Sequence, residues 1–336
     1  MIRHPLTAAA FVALAGPALA QSTVTIFGII DTDLTYGKGS LTSFKAVGTG
    51  GLAGSRVGFR GVEDLGDGLK AVFVIEHGFN SDTGTPASPA SFWNRQTYVA
   101  LGHSQWGELQ LGRIYTPSFL VHGTYDAFGP QGVAAQQVLL GSIEVAQPAN
   151  IRANNAVNYN GPGNLGGFVV QAMVSAGEGA PGKYSGVRVG YASGGFAGDA
   201  AFGSFDNPAI GDLKAVTVGA RYKINALTLY GLFDRADSGN SFDTRGMQFS
   251  AAYQIGLTAL KASIAQSERK SAAGAVVGTT RRIGIGAVHD LSKRTALYTS
   301  LARVNNSDGA ATSLNGSATA ANKGSSGIDI GIRHAF

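Results

Sequence analysis

The segment 55–79 constrains the fold most tightly, because polar and apolar side chains alternate along two arms joined by a short turn. In the first arm Phe59 falls on the face opposite Arg60, and a tight, acidic, glycine-rich turn follows at 64–68. Successive side chains of a β-strand point to opposite faces. The segment therefore predicts a β-hairpin with one apolar and one charged face. A soluble β-sandwich would show the same alternation, so the rest of the chain must decide between the two.

The same alternation recurs along the whole chain and indicates about sixteen strands of about ten residues, as in transmembrane barrels. Short turns alternate with longer loops such as 37–54, 80–91, 114–152 and 305–326. Short periplasmic turns and long external loops produce this asymmetry, and an open sheet edge cannot survive in hydrocarbon. The pattern predicts an all-β chain that forms a closed transmembrane antiparallel β-barrel of about 16 strands.

The composition agrees with a barrel and excludes other classes. Charged residues make up 14% of the chain, against about 25% in average soluble domains. No apolar run approaches the roughly 18 residues that a membrane-spanning helix requires. The chain has 49 glycines and no cysteine, which excludes disulfides and thiolate chemistry. A net charge of +5 without a long basic block argues against nucleic acid as a partner.

The first twenty residues have the layout of a secretory signal peptide. Arg3 supplies a positive start, an apolar core follows at 6–14, and Ala18 to Ala20 form a small-residue cleavage site. The alternative, a short buried N-terminal helix, does not require that order of features. We expect cleavage before Gln21 and export, leaving 21–336 as the barrel.

Several patterns resemble enzyme or metal motifs but lack the required context. Residues 161–166 match GxGxxG yet open no helix, and Tyr184 follows the phosphate-loop-like 177–183 where Ser or Thr is needed. Asp31 and Asp33 resemble the start of a calcium loop without its later acidic ligand. We therefore predict no catalytic residue, cofactor or metal. An outer-membrane barrel enzyme of lipase or protease type, or a structural or adhesive barrel, stays as an alternative.

Three blocks of the sequence resemble a known protein family. They are 55–84, the stretch NRQTYVALGHSQWGELQLGR from Asn94, and the C-terminal GIDIGIRHAF. They resemble the general diffusion porins of Gram-negative bacteria, the β-proteobacterial branch in particular. The resemblance implies a homotrimer in the outer membrane, surrounded by lipid, that lets small hydrophilic solutes and ions diffuse passively. It also implies that a final aromatic residue, here Phe336, serves as a signal for the outer-membrane assembly machinery.

The stretch 114–152 interrupts the alternation for about 39 residues. Loops longer than about 12–15 residues are usually functional or disordered. The family resemblance implies that this is the third external loop and that it folds inward to narrow the lumen. Its segment TYDAFGPQG resembles the constriction tip of the family.

Charged residues near this loop supply the candidate site. Charges on the lipid-facing side would cost about 2–4 kcal/mol each at the bilayer midplane, which favours inward positions. In anion-selective relatives, arginines at the matching positions line the constriction, so we expect a preference for anions. The predicted constriction residues are Arg56, Arg60, Arg95, Arg152, Asp126 and Glu144, the two acids lying across the opening. The predicted lumen-wall residues are Arg188, Arg221, Lys223 and Arg282.

Overall fold

A computed structural model describes residues 23–135, 151–177, 183–206 and 211–336. Within these ranges the chain is nearly all β-strand with one short helix, and no helix is long and apolar enough to cross a membrane. The predicted signal peptide at 1–20 and the candidate Glu144 lie outside the described residues.

The strands follow the chain in order, with the helix between β6 and β7. They are β1 Thr23–Lys38, β2 Ser43–Thr49, β3 Arg56–Gly66, β4 Leu69–Gly78, β5 Gln96–His103, β6 Gly107–Tyr115, α1 Pro117–Thr124, β7 Arg152–Asn160, β8 Phe168–Ala176, β9 Lys183–Ser193, β10 Phe196–Phe205, β11 Leu213–Ile224, β12 Leu227–Asp237, β13 Phe242–Ile255, β14 Thr258–Ser271, β15 Val276–Asp290, β16 Thr295–Ser307 and β17 Ser325–Ala335.

All strands belong to one antiparallel sheet that closes on itself. Each strand from β3 onward pairs with the next, and β17 pairs with β1. β2 and β3 both pair with the same side of β1, β2 with its second half and β3 with its first half. They are therefore two parts of one interrupted strand, and the barrel has sixteen strand positions. The predicted strand number and closed barrel are confirmed.

The expectation of a loop at 37–54 is wrong. β1 continues to Lys38, and β2 begins at Ser43 after a tight connection. Apart from that connection at 39–42, only residues 50–55 lie outside the strands, beginning at Gly50 with a positive φ of 83°. The many Gly, Ser and Thr residues in this stretch suggested a loop. The strand forms because it pairs with β1, and its own composition does not indicate it.

The two faces of the sheet differ as the alternation predicts. On β15, Ile283 is 58% exposed and Ile285 is 60% exposed, whereas Arg282, immediately before Ile283, is 1% exposed on the inner face. Directly paired residues of antiparallel strands share a face. Ile264 and Ile283 are such a pair, and both contribute to an apolar outer surface. The interior is polar.

The C-terminal residue completes the closure. Phe336 and Gly28 exchange two backbone hydrogen bonds of 3.1 Å, which extends the β1–β17 ladder to the end of the chain. The ring of Phe336 lies over Gly28, and a Cβ at that position would overlap it. Glycine at position 28 therefore makes room for the terminal aromatic ring.

Candidate constriction site

The segment after β6 begins as the helix α1. Thr116 precedes it in an extended conformation, and its hydroxyl accepts a hydrogen bond from the N–H of Phe119 at 3.3 Å. Pro117 occupies the first turn, where its missing N–H costs nothing. The Phe119 ring stacks on that of Tyr115 with 5.0 Å between centroids. The helix is thereby joined to the end of β6.

The helix is fastened to the inner wall at β11 and β12. His122 Nε2 lies 3.0 Å from Asp234 Oδ1, and the hydroxyl of Thr217 donates to the same oxygen at 2.6 Å. Tyr125, just after the helix, packs on Gly219, where a Cβ would overlap it. Burial and the neighbouring Asp199 raise the pKa of Tyr125 to about 12, so its phenol stays neutral.

Beyond the helix the segment continues around the inside of the barrel. The N–H of Ala127 donates to Ser250 Oγ on β13 at 3.1 Å. The carbonyl of Ala135 accepts from Arg282 on β15. Val133 N–H donates 2.7 Å to Asp329 on β17. The described part of the predicted constriction loop therefore lies within the barrel and contacts one strand after another, which confirms the inward fold.

At its far side the segment reaches the interruption between β2 and β3. Gly132 has a φ of +85°, and a Cβ there would overlap the carbonyl oxygen of Gly51. The carboxylate of Asp31 accepts hydrogen bonds from Leu52 N at 3.1 Å and Ala53 N at 2.6 Å, which holds the interruption in place. The break in the strand therefore provides a docking point for the inserted segment.

Three of the predicted arginines meet at one place. The Nε of Arg95 donates to Glu76, and the Nε of Arg56 lies 3.9 Å from the same carboxylate oxygen. Arg95 and Arg152 both donate to the hydroxyl of Tyr115, at 2.7 and 2.9 Å. The guanidinium of Arg152 also lies over the Tyr115 ring, 4.5 Å from its centroid. We call these five residues the arginine cluster.

The arginine cluster carries a net positive charge, because three guanidinium groups share one carboxylate. A fourth arginine, Arg113, interacts electrostatically with Arg152 and donates to the carbonyl of Asn94 at 3.0 Å. Arg56 and Arg95 keep 25% and 18% of their side chains exposed. The cluster can therefore attract an anion while protein contacts hold its arginines in position.

The other predicted constriction residues lie outside the arginine cluster. Arg60 is exposed on β3, four residues from Arg56 and closer to the short-turn end of the barrel. Asp126 is buried, accepts from the N–H of Phe128 at 2.9 Å, and interacts electrostatically with Lys261 and Arg282. Asp126 thus belongs to the contact between the inserted segment and β14–β15.

The predicted lumen-wall residues all lie on the inner face but differ in environment. Arg188 forms an ion pair with Asp199, with Nε 2.9 Å from Oδ2. Arg221 and Lys223 are exposed on β11 and form no ion pair within the described part of the chain. Arg282 is buried and holds the inserted segment, so it does not line open water.

Sequence reasoning missed the residues that organise the site. Glu76 and Tyr115 hold the arginines, while Asp31 and Asp329 anchor the interruption and the inserted segment. Glu76 alternates onto the same face as Lys70, which is a usable signal. In the described ranges no group of three or more His, Asp or Glu side chains could hold a metal ion.

A closed barrel with an apolar outer surface, a polar interior and an inserted segment defines a transmembrane channel. The model of a Gram-negative porin family matches residues 6–309, and the chain belongs to that family. Outer membrane porin protein 32 of Delftia acidovorans is 32% identical, with both chains covered completely. A porin of Bordetella pertussis is 31% identical over 70% of this chain and 60% of its own.

Solved structures agree with this assignment. The anion-selective porin from Comamonas acidovorans has a TM-score of 0.83 and 31% identity, covering 94% of this chain and 100% of its own. OmpT of Vibrio cholerae, with loop L8 deleted, has a TM-score of 0.73 at 16% identity and 94% and 99% coverage, so it shares the fold. The protein is an outer-membrane porin channel, and its relatives are channels rather than enzymes.

Proposed function

We propose that this porin prefers anions and that Arg56, Arg95 and Arg152 set the preference. The observation that carries the proposal is their convergence on Glu76 and Tyr115, which leaves a net positive charge beside the inserted segment. The similarity to a porin described as anion-selective supports it. Small hydrophilic solutes and ions pass by diffusion, without covalent chemistry.

The magnitude of the effect is limited by water in the lumen. A unit charge about 4 Å from an ion is worth about 1 kcal/mol in bulk water and more where the effective dielectric constant is lower. Two or three fixed arginines therefore supply a few kcal/mol, enough for strong but incomplete selectivity. Salt weakens the effect, because the Debye length falls from about 10 Å at 0.1 M to about 3 Å at 1 M.

The test is the reversal potential of the purified protein in planar bilayers under a salt gradient. The wild-type potential should indicate anion preference and decline as total salt rises. Arg95→Glu combined with Arg152→Glu should move it towards cations while the channel stays open. A wild-type preference for cations in dilute salt, or an unchanged potential in the double variant, contradicts the proposal.

A matched control separates local charge from net charge. Lys293→Glu with Arg294→Glu changes the net charge equally, but these exposed residues lie in the short turn between β15 and β16, outside the arginine cluster. We expect a much smaller shift in reversal potential from this control. Equal shifts from both double variants would show that overall charge, rather than the arginine cluster, determines selectivity.

We also propose that the protein is a homotrimer. We propose in addition that the outer-membrane assembly machinery recognises its last strand. Membership of the porin family and the terminal Phe336 on the outer face support this. Unboiled protein should migrate in detergent gels as a large species that converts to a monomer on heating. A monomer under both conditions, with normal conductance, argues against the trimer and leaves the channel assignment standing.

A further inference from the structure

Three aspartates share the inner face of the wall beside the docking point of the inserted segment. Asp31 and Asp33 are two positions apart on β1, so their side chains project to the same face. Asp329 on β17 is paired with Thr35, which makes it a diagonal neighbour of Asp33 at a backbone separation of about 7–8 Å. Their exposed fractions are 0%, 6% and 2%. Three buried carboxyl groups therefore lie close together.

Two of these carboxyl groups are surrounded by hydrogen-bond donors. Asp31 accepts from two backbone N–H groups of the interruption and from the hydroxyl of Tyr298. Asp329 accepts from the N–H of Val133 and from two side chains. A buried carboxylate needs such donors to replace the water that it has lost. Asp31 and Asp329 therefore have the surroundings of ionised groups.

Asp33 has different surroundings. Within the described ranges no other residue donates a hydrogen bond to its carboxyl group, and the charged groups that act on it are the acids Asp31, Asp329 and Asp82. The basic group of β17, Arg333, interacts electrostatically with Asp31. A buried carboxylate without donors takes up a proton, and neighbouring carboxylates make ionisation less favourable still. Asp33 is therefore the member of the three that is suited to hold a proton.

Asp33 also lies directly beneath the docking point. A Cβ on Gly51 would be 2.2 Å from Asp33 Oδ2 and 2.6 Å from the hydroxyl of Tyr298, the titratable group that β16 contributes here. The carbonyl oxygen of Gly51 in turn lies 2.1 Å from the position of a Cβ on Gly132 of the inserted segment. The interruption and the inserted segment thus contribute backbone at this place, and a charge on Asp33 would act on both.

We propose that Asp33 carries a proton that keeps the inserted segment docked, and that loss of this proton at alkaline pH loosens the segment. A third negative charge would repel Asp31, which holds the interruption, and Asp329, which holds Val133. Repulsion between charges is stronger inside a protein wall than in water. The arginine cluster takes no part, so the inference does not depend on the anion preference of the channel.

The experiment records single channels in planar bilayers between pH 5 and pH 9, in symmetric 1 M salt with a chelator present. Brief departures from the main conductance level should become more frequent as pH rises. For one proton the increase is at least about tenfold over the range and at most about tenfold per pH unit. A wild-type channel without pH dependence overturns the proposal, and a steeper rise overturns the assignment to a single proton.

Two variants locate the proton. Asp33→Asn keeps the shape of the protonated side chain without its titration and should show few departures at every pH. Glu108→Gln removes a different inward-facing carboxylate, which pairs with Lys70, and should retain the wild-type pH dependence. Wild-type behaviour of Asp33→Asn, or loss of the dependence in Glu108→Gln as well, overturns the role of Asp33. Heat-modifiable migration verifies that both variants fold.

A measurement on the unaltered protein keeps the proposal testable if Asp33→Asn does not assemble. The infrared spectrum of the folded channel should contain the carbonyl band of a protonated carboxyl group at pH 6, and this band should disappear by pH 9 over the range in which the departures become frequent. Absence of the band at pH 6, or a band that persists at pH 9 while the departures increase, contradicts the proposal.

Discussion

The backbone N–H of Val133 donates a hydrogen bond of 2.7 Å to Oδ2 of Asp329. It joins the inserted segment to the last strand across 196 positions of sequence, and both residues are buried. Asp329 also accepts from Asn315 at 2.6 Å and from Thr35 at 3.2 Å. One carboxylate on the barrel wall thus holds the inserted segment, the last external connection and the first strand together.

Replacing Asp329 by Ala should loosen the inserted segment. A buried donor left without its partner costs about 1–3 kcal/mol, which favours detachment of the segment from the wall. We expect larger and noisier single-channel conductance and a lower temperature of barrel unfolding. Asp329→Asn retains a side-chain carbonyl that can accept from Val133, but its NH2 group then faces the donors of Asn315 and Thr35, so its effect should be smaller than that of Asp329→Ala. Equal noise in both variants would show that the charge, not the hydrogen bond, matters.

Tyr115→Phe should weaken anion selectivity without widening the channel. The phenyl ring can still stack on Phe119 and lie beneath Arg152, but Arg95 and Arg152 lose their shared acceptor. The guanidinium groups then sample more positions, and a diffuse charge attracts ions less strongly. The reversal potential should shift part of the way towards zero while conductance changes little.

The comparison variant for this position is Tyr115→Leu, which also removes the ring. It should change conductance as well as reversal potential, because the contact with α1 is lost. Identical behaviour of the Phe and Leu variants would assign the effect to packing and would remove the hydroxyl from the explanation.

Gly28→Val should impair assembly in the same way as Phe336→Asp. The valine side chain would displace the terminal ring, and the aspartate would place a second charge beside the terminal carboxylate in an apolar environment. Trimer yield in outer membranes, judged by heat-modifiable migration, should fall for both. Phe336→Tyr keeps an aromatic ring and should assemble normally. Normal yield from Phe336→Asp would contradict the role of the last residue.

Protein recovered from outer membranes should begin at Gln21. The positive start at Arg3, the apolar core at 6–14 and the small residues before position 21 motivate this expectation. Intact-mass measurement of the folded, membrane-inserted form checks it directly. A mass that retains Met1 would show that the first twenty residues are kept.

Local alternation was enough to predict much of this protein. Strand number, closure and the inner position of Arg56 follow from a two-residue period, because a strand buried in lipid on one side must segregate its faces. The long interruption at 114–152 was equally visible, since no alternation runs through it. The inward folding of that interruption came from family resemblance rather than from the pattern.

The alternation of polar and apolar residues did not predict which residues form the constriction site. Arg95 precedes β5 in a bend, and counting back from the outward-facing Val99 would place it on the lipid side, yet it bonds to the inward-facing Glu76. Likewise, Arg282 faces inward as predicted, but it does not line the open lumen. It donates a hydrogen bond to the carbonyl of Ala135 and so holds the inserted segment against the wall. Neither outcome depends on neighbours in sequence.

The sequence by itself therefore determined the barrel. Every strand must present apolar side chains to the lipid, and the alternation within each strand is enough to meet that requirement. Only the tertiary structure decided which charges meet. Glu76 comes from β4, Tyr115 from β6 and Arg152 from the start of β7, and their contact depends on how a long segment packs inside the closed wall. Such contacts depend on the shape of the packed segment and on buried hydrogen bonds between residues that are distant in sequence. The periodicity of the sequence therefore does not predict them.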